Sequence, residues 1–164
     1  MDNLYFIEYE GFQYGDGATI MKEFCVLNFD TPQHPLYFNF IAPTPWENLS
    51  EEEQRGFKYQ TSRLHHLQWY EGATRYCNNC TWYHLTHAFP NWAEGTFFVM
   101  DKTKGSKIKF LQDEFPQLNL IAYDAVAFRN LPLLAEYERC PYRDHGNHCA
   151  FRKCIQLHHH YSQN

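Results

Sequence analysis

The chain has 164 residues, 44% hydrophobic and 18% aromatic, with 14 Lys and Arg against 19 Asp and Glu for a net charge of −5. This length fits one domain, and charged residues at 20% are too few for a disordered chain. The negative balance excludes a domain coated in positive charge, and with it strong indiscriminate binding to nucleic acid; a local basic patch is all that charge allows.

The opening MDNLYFIEYEGF lacks the basic and apolar regions of a secretory signal, and no segment approaches the ~20 apolar residues of a membrane span. The expectation is a cytoplasmic or nuclear protein, not secreted and without membrane contact. Residues 4–12 are a β-rich run closed by the turn Tyr14-Gly15-Asp16-Gly17, and 19–29 follow as its hairpin partner. A third run, 36–42, follows a Pro-bracketed turn, and the short links favour antiparallel pairing. Glu8 and Glu10 share one face of the first strand, while strand alternation puts Glu23 on a face with Met21, Cys25 and Leu27. A carboxylate ionised on such an apolar face needs a cationic partner or a metal.

Ser50-Glu51-Glu52-Glu53 is a capping box that starts a helix to about Leu64. After a turn at Trp69 to Gly72, residues 74–88 predict a second helix with Cys77, Cys80, His84 and His87 along one face, stopped by Pro90. One helix does not wrap four ligands around one ion, so this stripe reads as core. His65 and His66 lack an evident chemical partner and read as structural or surface residues. Thr96 to Met100 is a short apolar run suited to a buried parallel strand, followed by a lysine-rich turn and a short helix. A further strand at Leu118–Ala122 and a last helix from Cys149 to about Tyr161 complete the order. Three antiparallel strands followed by strand–helix alternation predict a single RNase H-like α/β domain, a mixed sheet with helices on both faces.

Residues 140–154, CPYRDHGNHCAFRKC, gather Cys140, His145, His148, Cys149 and Cys154 just before and within the last helix. In a reducing compartment clustered thiols and imidazoles point to tetrahedral zinc more than to disulfides, and a closed site needs one further ligand from elsewhere. Paired acids such as Glu8 and Glu10 are how a two-metal nuclease site begins, but such a site needs more carboxylates. The later turn offers Asp101 among lysines, and HCAFRKC places Lys153 where the exonuclease pattern His-x-Ala-x-x-Asp has its acid. No catalytic residue is therefore assigned, and a metal-dependent nuclease built on Glu8 and Glu10 is the alternative. Lys102, Lys104 and Lys107, with Lys109, Arg129, Arg139, Arg143 and Arg152, form a basic strip among aromatics that suits single-stranded RNA.

The segments TIMKEFCVLNFDTPQHPLYFNFIAP and CPYRDHGNHCAF resemble the opening and the zinc-binding end of the Maelstrom domain, a diverged branch of the DEDDh exonucleases. The chain is also similar to short arthropod proteins that share its hairpin, its Lys-Glu strand and its Lys-Gly-x-Lys turn. The Maelstrom resemblance implies a structural zinc held by Glu23, Cys140, His145 and Cys149, with His148 as the alternative histidine. It further implies an RNase H-like fold without the acidic tetrad. Such a module would bind single-stranded or structured RNA, or a protein partner, in small-RNA (piRNA) silencing of transposons. A pure protein-interaction scaffold is the remaining reading.

Overall fold

In a computed structural model that describes residues 3–124, 139–143, 145–146 and 148–163, the chain opens with β1 (Leu4–Gln13), β2 (Thr19–Asn28) and β3 (Leu36–Ile41). Helix α1 (Glu51–Gln60) follows, then β4 (Thr74–Arg75), α2 (Asn78–Ala88), β5 (Thr96–Met100), α3 (Ser106–Glu114), β6 (Leu120–Tyr123) and α4 (Ala150–Ser162). The strands form one six-stranded mixed sheet in the order β4-β3-β2-β1-β5-β6. β2 runs antiparallel to both β1 and β3, whereas β5 is parallel to β1 and β6 is parallel to β5.

β1 and β2 lie at the centre of the sheet and are buried along most of their length, because helices cover both faces. One face packs Tyr5, Ile7, Phe24, Val26 and Phe97 against Leu85 of α2 and Ile108 and Leu111 of α3. The other packs Phe6, Cys25 and Leu27 against Phe151, Cys154, Ile155 and Leu157 of α4. At the far end of the hairpin, Phe12 and Ile20 meet Phe57 of α1 and Trp69.

The register slips between Glu10 and Gly11: Glu10 pairs with Glu23 and Gly11 with Met21, so Lys22 is the extra residue of a bulge. The bulge reverses the strand's phase. Met21 therefore joins Phe24 and Val26 in the core under α2 and α3, not the face of Glu23, Cys25 and Leu27 predicted for it. Gly11 is required there, since a Cβ would sit 1.9 Å from the Ile20 carbonyl oxygen.

The capping box forms as predicted: Glu53 N–H donates to Ser50 Oγ at 3.1 Å, and Ser50 N–H donates to Glu53 Oε1 at 2.9 Å. Helix α1 ends at Gln60, and a π-turn over Thr61–His65 carries the chain to His66, which adopts φ 57°. The second helix starts at Asn78 because residues 74 and 75 pair with β3 as β4. Its buried face is Thr81 and Leu85, while Cys80, His84 and His87 are exposed. The predicted core stripe is thus a surface stripe, because the helix rotates its apolar Leu85 and Trp82 side toward the sheet. No helix among the described residues is long and apolar enough to cross a membrane.

Candidate metal centre

Four predicted residues come together under the N-terminus of α4. One donor atom each from Glu23, Cys140, His145 and Cys149 lies within 4.8 Å of the other three, and no other group of three or more such residues forms among the described residues. Glu23 comes from β2, next to the bulge, and is fully buried. Cys140 and His145 lie in the segment before α4, and Cys149 is the N-cap of α4, its Sγ accepting the Arg152 N–H at 3.4 Å. His145 Nε2 lies 2.8 Å from Glu23 Oε2, and Cys140 Sγ lies 3.5 Å from the same oxygen.

The surrounding groups orient these donors. The Ala150 N–H donates to Glu23 Oε1 at 2.6 Å, so the free amides of α4 face the carboxylate. His145 Nδ1 donates to the His65 carbonyl at 2.8 Å, which fixes the tautomer and leaves Nε2 directed at the cluster. The Tyr37 hydroxyl donates to Glu23 and lies 3.5 Å from Cys140 Sγ. Arg143 Nη2 donates to the His66 carbonyl at 2.8 Å, tying the ligand-bearing segment to the π-turn.

Burial pushes the Glu23 carboxyl up, and burial likewise holds the Cys149 thiol well above its ordinary range. The Cys149 thiol beside Cys140, with His145 and Tyr37, holds Cys140 down at about 4. Burial pulls His145 down, but Cys140 and Glu23 outweigh it and hold the imidazole up at about 10. The donors fit tetrahedral zinc: two sulfurs, one imidazole nitrogen and one carboxylate oxygen, from groups that gain by sharing one buried cation. Glu23 Oε2, His145 Nε2, Cys140 Sγ and Cys149 Sγ would hold it, and it would supply structural cross-linking of β2 to α4.

His148, the alternative histidine, is exposed and outside the cluster. Cys154, although in the same stretch of sequence, is buried in the apolar layer under α4, with its thiol toward the Phe6 and Cys25 carbonyls at 3.5 Å each. Sequence reasoning misses Tyr37. It faces the site because it pairs with Cys25, a register that composition alone does not give.

On the same face of the sheet, Glu8 and Glu10 each hold an ammonium group. Lys107 Nζ of α3 pairs with Glu8, whose other oxygen accepts the Met100 N–H at 2.8 Å. Lys153 Nζ of α4 pairs with Glu10. Asp101 is not a third acid of this cluster, because its carboxylate accepts the Lys102 and Ile108 N–H groups at 2.8 and 2.9 Å and so caps α3. Gly105 permits that cap: a Cβ there would meet Asp101 Oδ1 at 2.3 Å.

Among the predicted RNA-contacting lysines, Lys102 and Lys104 are exposed, but Lys107 turns inward to Glu8 and the Met100 carbonyl. The strip is therefore shorter than its sequence spacing implies. Arg139 and Arg143 are exposed, and Arg129 lies outside the described residues.

His65 and His66 divide as structural and surface residues. His65 is buried, its Nδ1 accepting the Leu67 N–H at 3.0 Å, and burial holds its imidazole down at about 4. Its folded value lies below the unfolded one of ~6.5, so the unfolded chain takes up a proton first as pH falls. The stability His65 lends is present above that value and is lost between it and about 4, by up to about 3 kcal/mol. In urea unfolding at graded pH, His65→Gln is expected to flatten this part of the profile relative to wild type. Parallel profiles would mean that His65 does not titrate this way.

Comparison with protein-family models, with curated proteins and with solved structures finds no match to this chain.

Proposed function

We propose that the protein is a non-catalytic, zinc-stabilised module of RNase H-like topology that binds single-stranded RNA. The observation that carries the zinc is the convergence of Glu23, Cys140, His145 and Cys149 from two distant parts of the chain. The topology reading is supported by the order β3-β2-β1-β5-β6 with β2 antiparallel to its neighbours and helices on both faces. The resemblance to the Maelstrom domain points to small-RNA silencing as the setting of such a module, with zinc as a structural element.

The Glu8 and Glu10 ion pairs support the absence of catalysis. A two-metal nuclease needs these carboxylates free to bind cations, and here each holds a lysine ammonium. Purified protein with Mg²⁺ or Mn²⁺ is expected to leave labelled RNA and DNA intact. Metal-dependent cleavage that disappears in Glu8→Gln would establish the nuclease reading instead.

RNA binding rests on the exposed Lys102 and Lys104, with exposed rings such as those of Tyr59, Tyr70 and Tyr83 available for stacking. With a net charge of −5 it will be modest and salt-sensitive. Lys102→Ala with Lys104→Ala is expected to lower the slope of log K against log salt by roughly 0.7 for each phosphate no longer neutralised. Zinc content and melting temperature should not change. Gel shifts at graded salt test this. A wild-type protein that fails to bind RNA at ~50 mM salt, where phosphate contacts are strongest, would exclude RNA and leave the protein-interaction scaffold.

A further inference from the structure

Cys25, Cys149 and Cys154 are buried, and Cys140 belongs with Cys149 to the candidate metal centre. The remaining two thiols, Cys77 and Cys80, sit at the start of α2 as Cys-Asn-Asn-Cys, one half-buried and the other exposed. Cys77 is the N-cap, and its Sγ accepts the Cys80 backbone N–H at 3.2 Å. That hydrogen bond brings the Cys77 sulfur against Cys80 itself, so the two thiol-bearing residues meet on one turn. It is this sulfur pair, and not the helix end alone, that makes a site.

The backbone under the pair is held in place. Cys77 O accepts both the N–H and the hydroxyl of Thr81 at 2.9 Å, and Asn78 Nδ2 donates to the Glu114 carbonyl at 2.7 Å. Cα atoms three residues apart on a helical turn lie ~5 Å apart, from a rise of ~1.5 Å per residue on a radius of ~2.3 Å, and a disulfide spans Cα separations of ~4.4–6.8 Å. The first turn carries no acidic residue, so no carboxylate competes with a sulfur anion for the free amides. His84 and His87 lie on later, exposed turns and form no metal group with the pair among the described residues.

We propose that Cys77 and Cys80 are a redox-active dithiol that exchanges with low-molecular-weight disulfides of the glutathione class, Cys77 as the attacking sulfur and Cys80 as the resolving one. The Cys77 thiolate attacks one sulfur of the disulfide, the disulfide's S–S bond breaks, and one thiolate departs and takes up a proton. Cys80 loses its proton to solvent and attacks Cys77 in the resulting mixed disulfide. The second small thiolate departs, and an intramolecular Cys77–Cys80 disulfide remains. Two electrons pass from the protein dithiol to the small disulfide, which ends as two thiols. The contact with Cys80 holds the Cys77 thiol below its ordinary range and the Cys80 thiol above it, which matches these two roles.

Full-length protein with its metal retained is equilibrated with mixtures of reduced and oxidised glutathione and analysed by intact mass and peptide mapping. Wild type is expected to lose two hydrogens, mapped to a Cys77–Cys80 disulfide, with zinc content unchanged. Cys80→Ser should trap one glutathione on Cys77, and Cys77→Ser should react at Cys80 about ten-fold more slowly. Three results would overturn the proposal: wild type reduced throughout, equal adduct formation on the two variants, or a second zinc lost from Cys77→Ser with Cys80→Ser. Each is readable whether or not the Glu23 centre binds zinc, because glutathione exchange and metal content are measured separately.

Discussion

Cys140→Ser is expected to leave a chain that retains no zinc and shows no cooperative thermal transition. Cys140 is the candidate ligand that joins the segment before α4 to Glu23 of β2, and its sulfur lies 3.5 Å from the Glu23 carboxylate and from the Tyr37 hydroxyl. Without the metal, the buried Glu23, His145 and Cys149 lose the shared ion that would tie β2 to α4. Structural zinc sites contribute on the order of 10 kcal/mol, as much as the whole net stability of a domain. Near-UV circular dichroism, strong in a chain with 18% aromatic residues, follows the loss of packing. His148→Ala is the control and should keep both zinc and melting temperature, because His148 lies outside the cluster. Full zinc content and an unchanged melting temperature in Cys140→Ser would mean that the ligand set is wrong.

Lys153→Met is expected to destabilise the fold by about 3–5 kcal/mol, the cost of leaving one member of a buried ion pair alone. The side chains of Lys153 and Glu10 are only 15% and 13% exposed. Burial pushes Glu10 up, but Lys153 outweighs it and holds the carboxyl below its usual range. The pair's contribution is thus present above the unfolded carboxyl value and is lost as pH falls through the lower folded one. In Lys153→Met the carboxyl is raised instead, so the deficit against wild type should narrow on acidification from neutral pH. Glu10→Gln with Lys153→Met should recover most of the loss, since a neutral pair of similar shape leaves no charge uncompensated. Equal denaturant midpoints for wild type and Lys153→Met would show that Glu10 has another partner.

The legible parts of the fold are those set by local chemistry. The Tyr14-Gly15-Asp16-Gly17 turn, the Ser50 and Glu53 cap and the continuous apolar run of β5 each specify their element within a few residues. What depends on long-range register is not legible. The bulge at Lys22 moves Met21 to the opposite face, and β4 shortens α2 because residues 74 and 75 have an edge of β3 to pair with. Position along the chain also misleads for Lys107, which reads as part of a basic strip but meets Glu8, 99 residues away in sequence. The metal cluster is legible through a resemblance carried by Glu23, Cys140, His145 and Cys149. Its supporting groups, Tyr37 and the His65 carbonyl, become visible only once β2, β3 and the π-turn have met.

Metal analysis of untagged protein, combined with X-ray absorption at the zinc edge, is the most direct test of the centre formed by Glu23, Cys140, His145 and Cys149. One zinc per chain is expected, with two sulfur and two nitrogen or oxygen neighbours, and the zinc should be lost in Glu23→Ala and retained in His148→Ala. Protein that folds cooperatively with no bound metal, or zinc retained in Glu23→Ala and lost in His148→Ala, would contradict it.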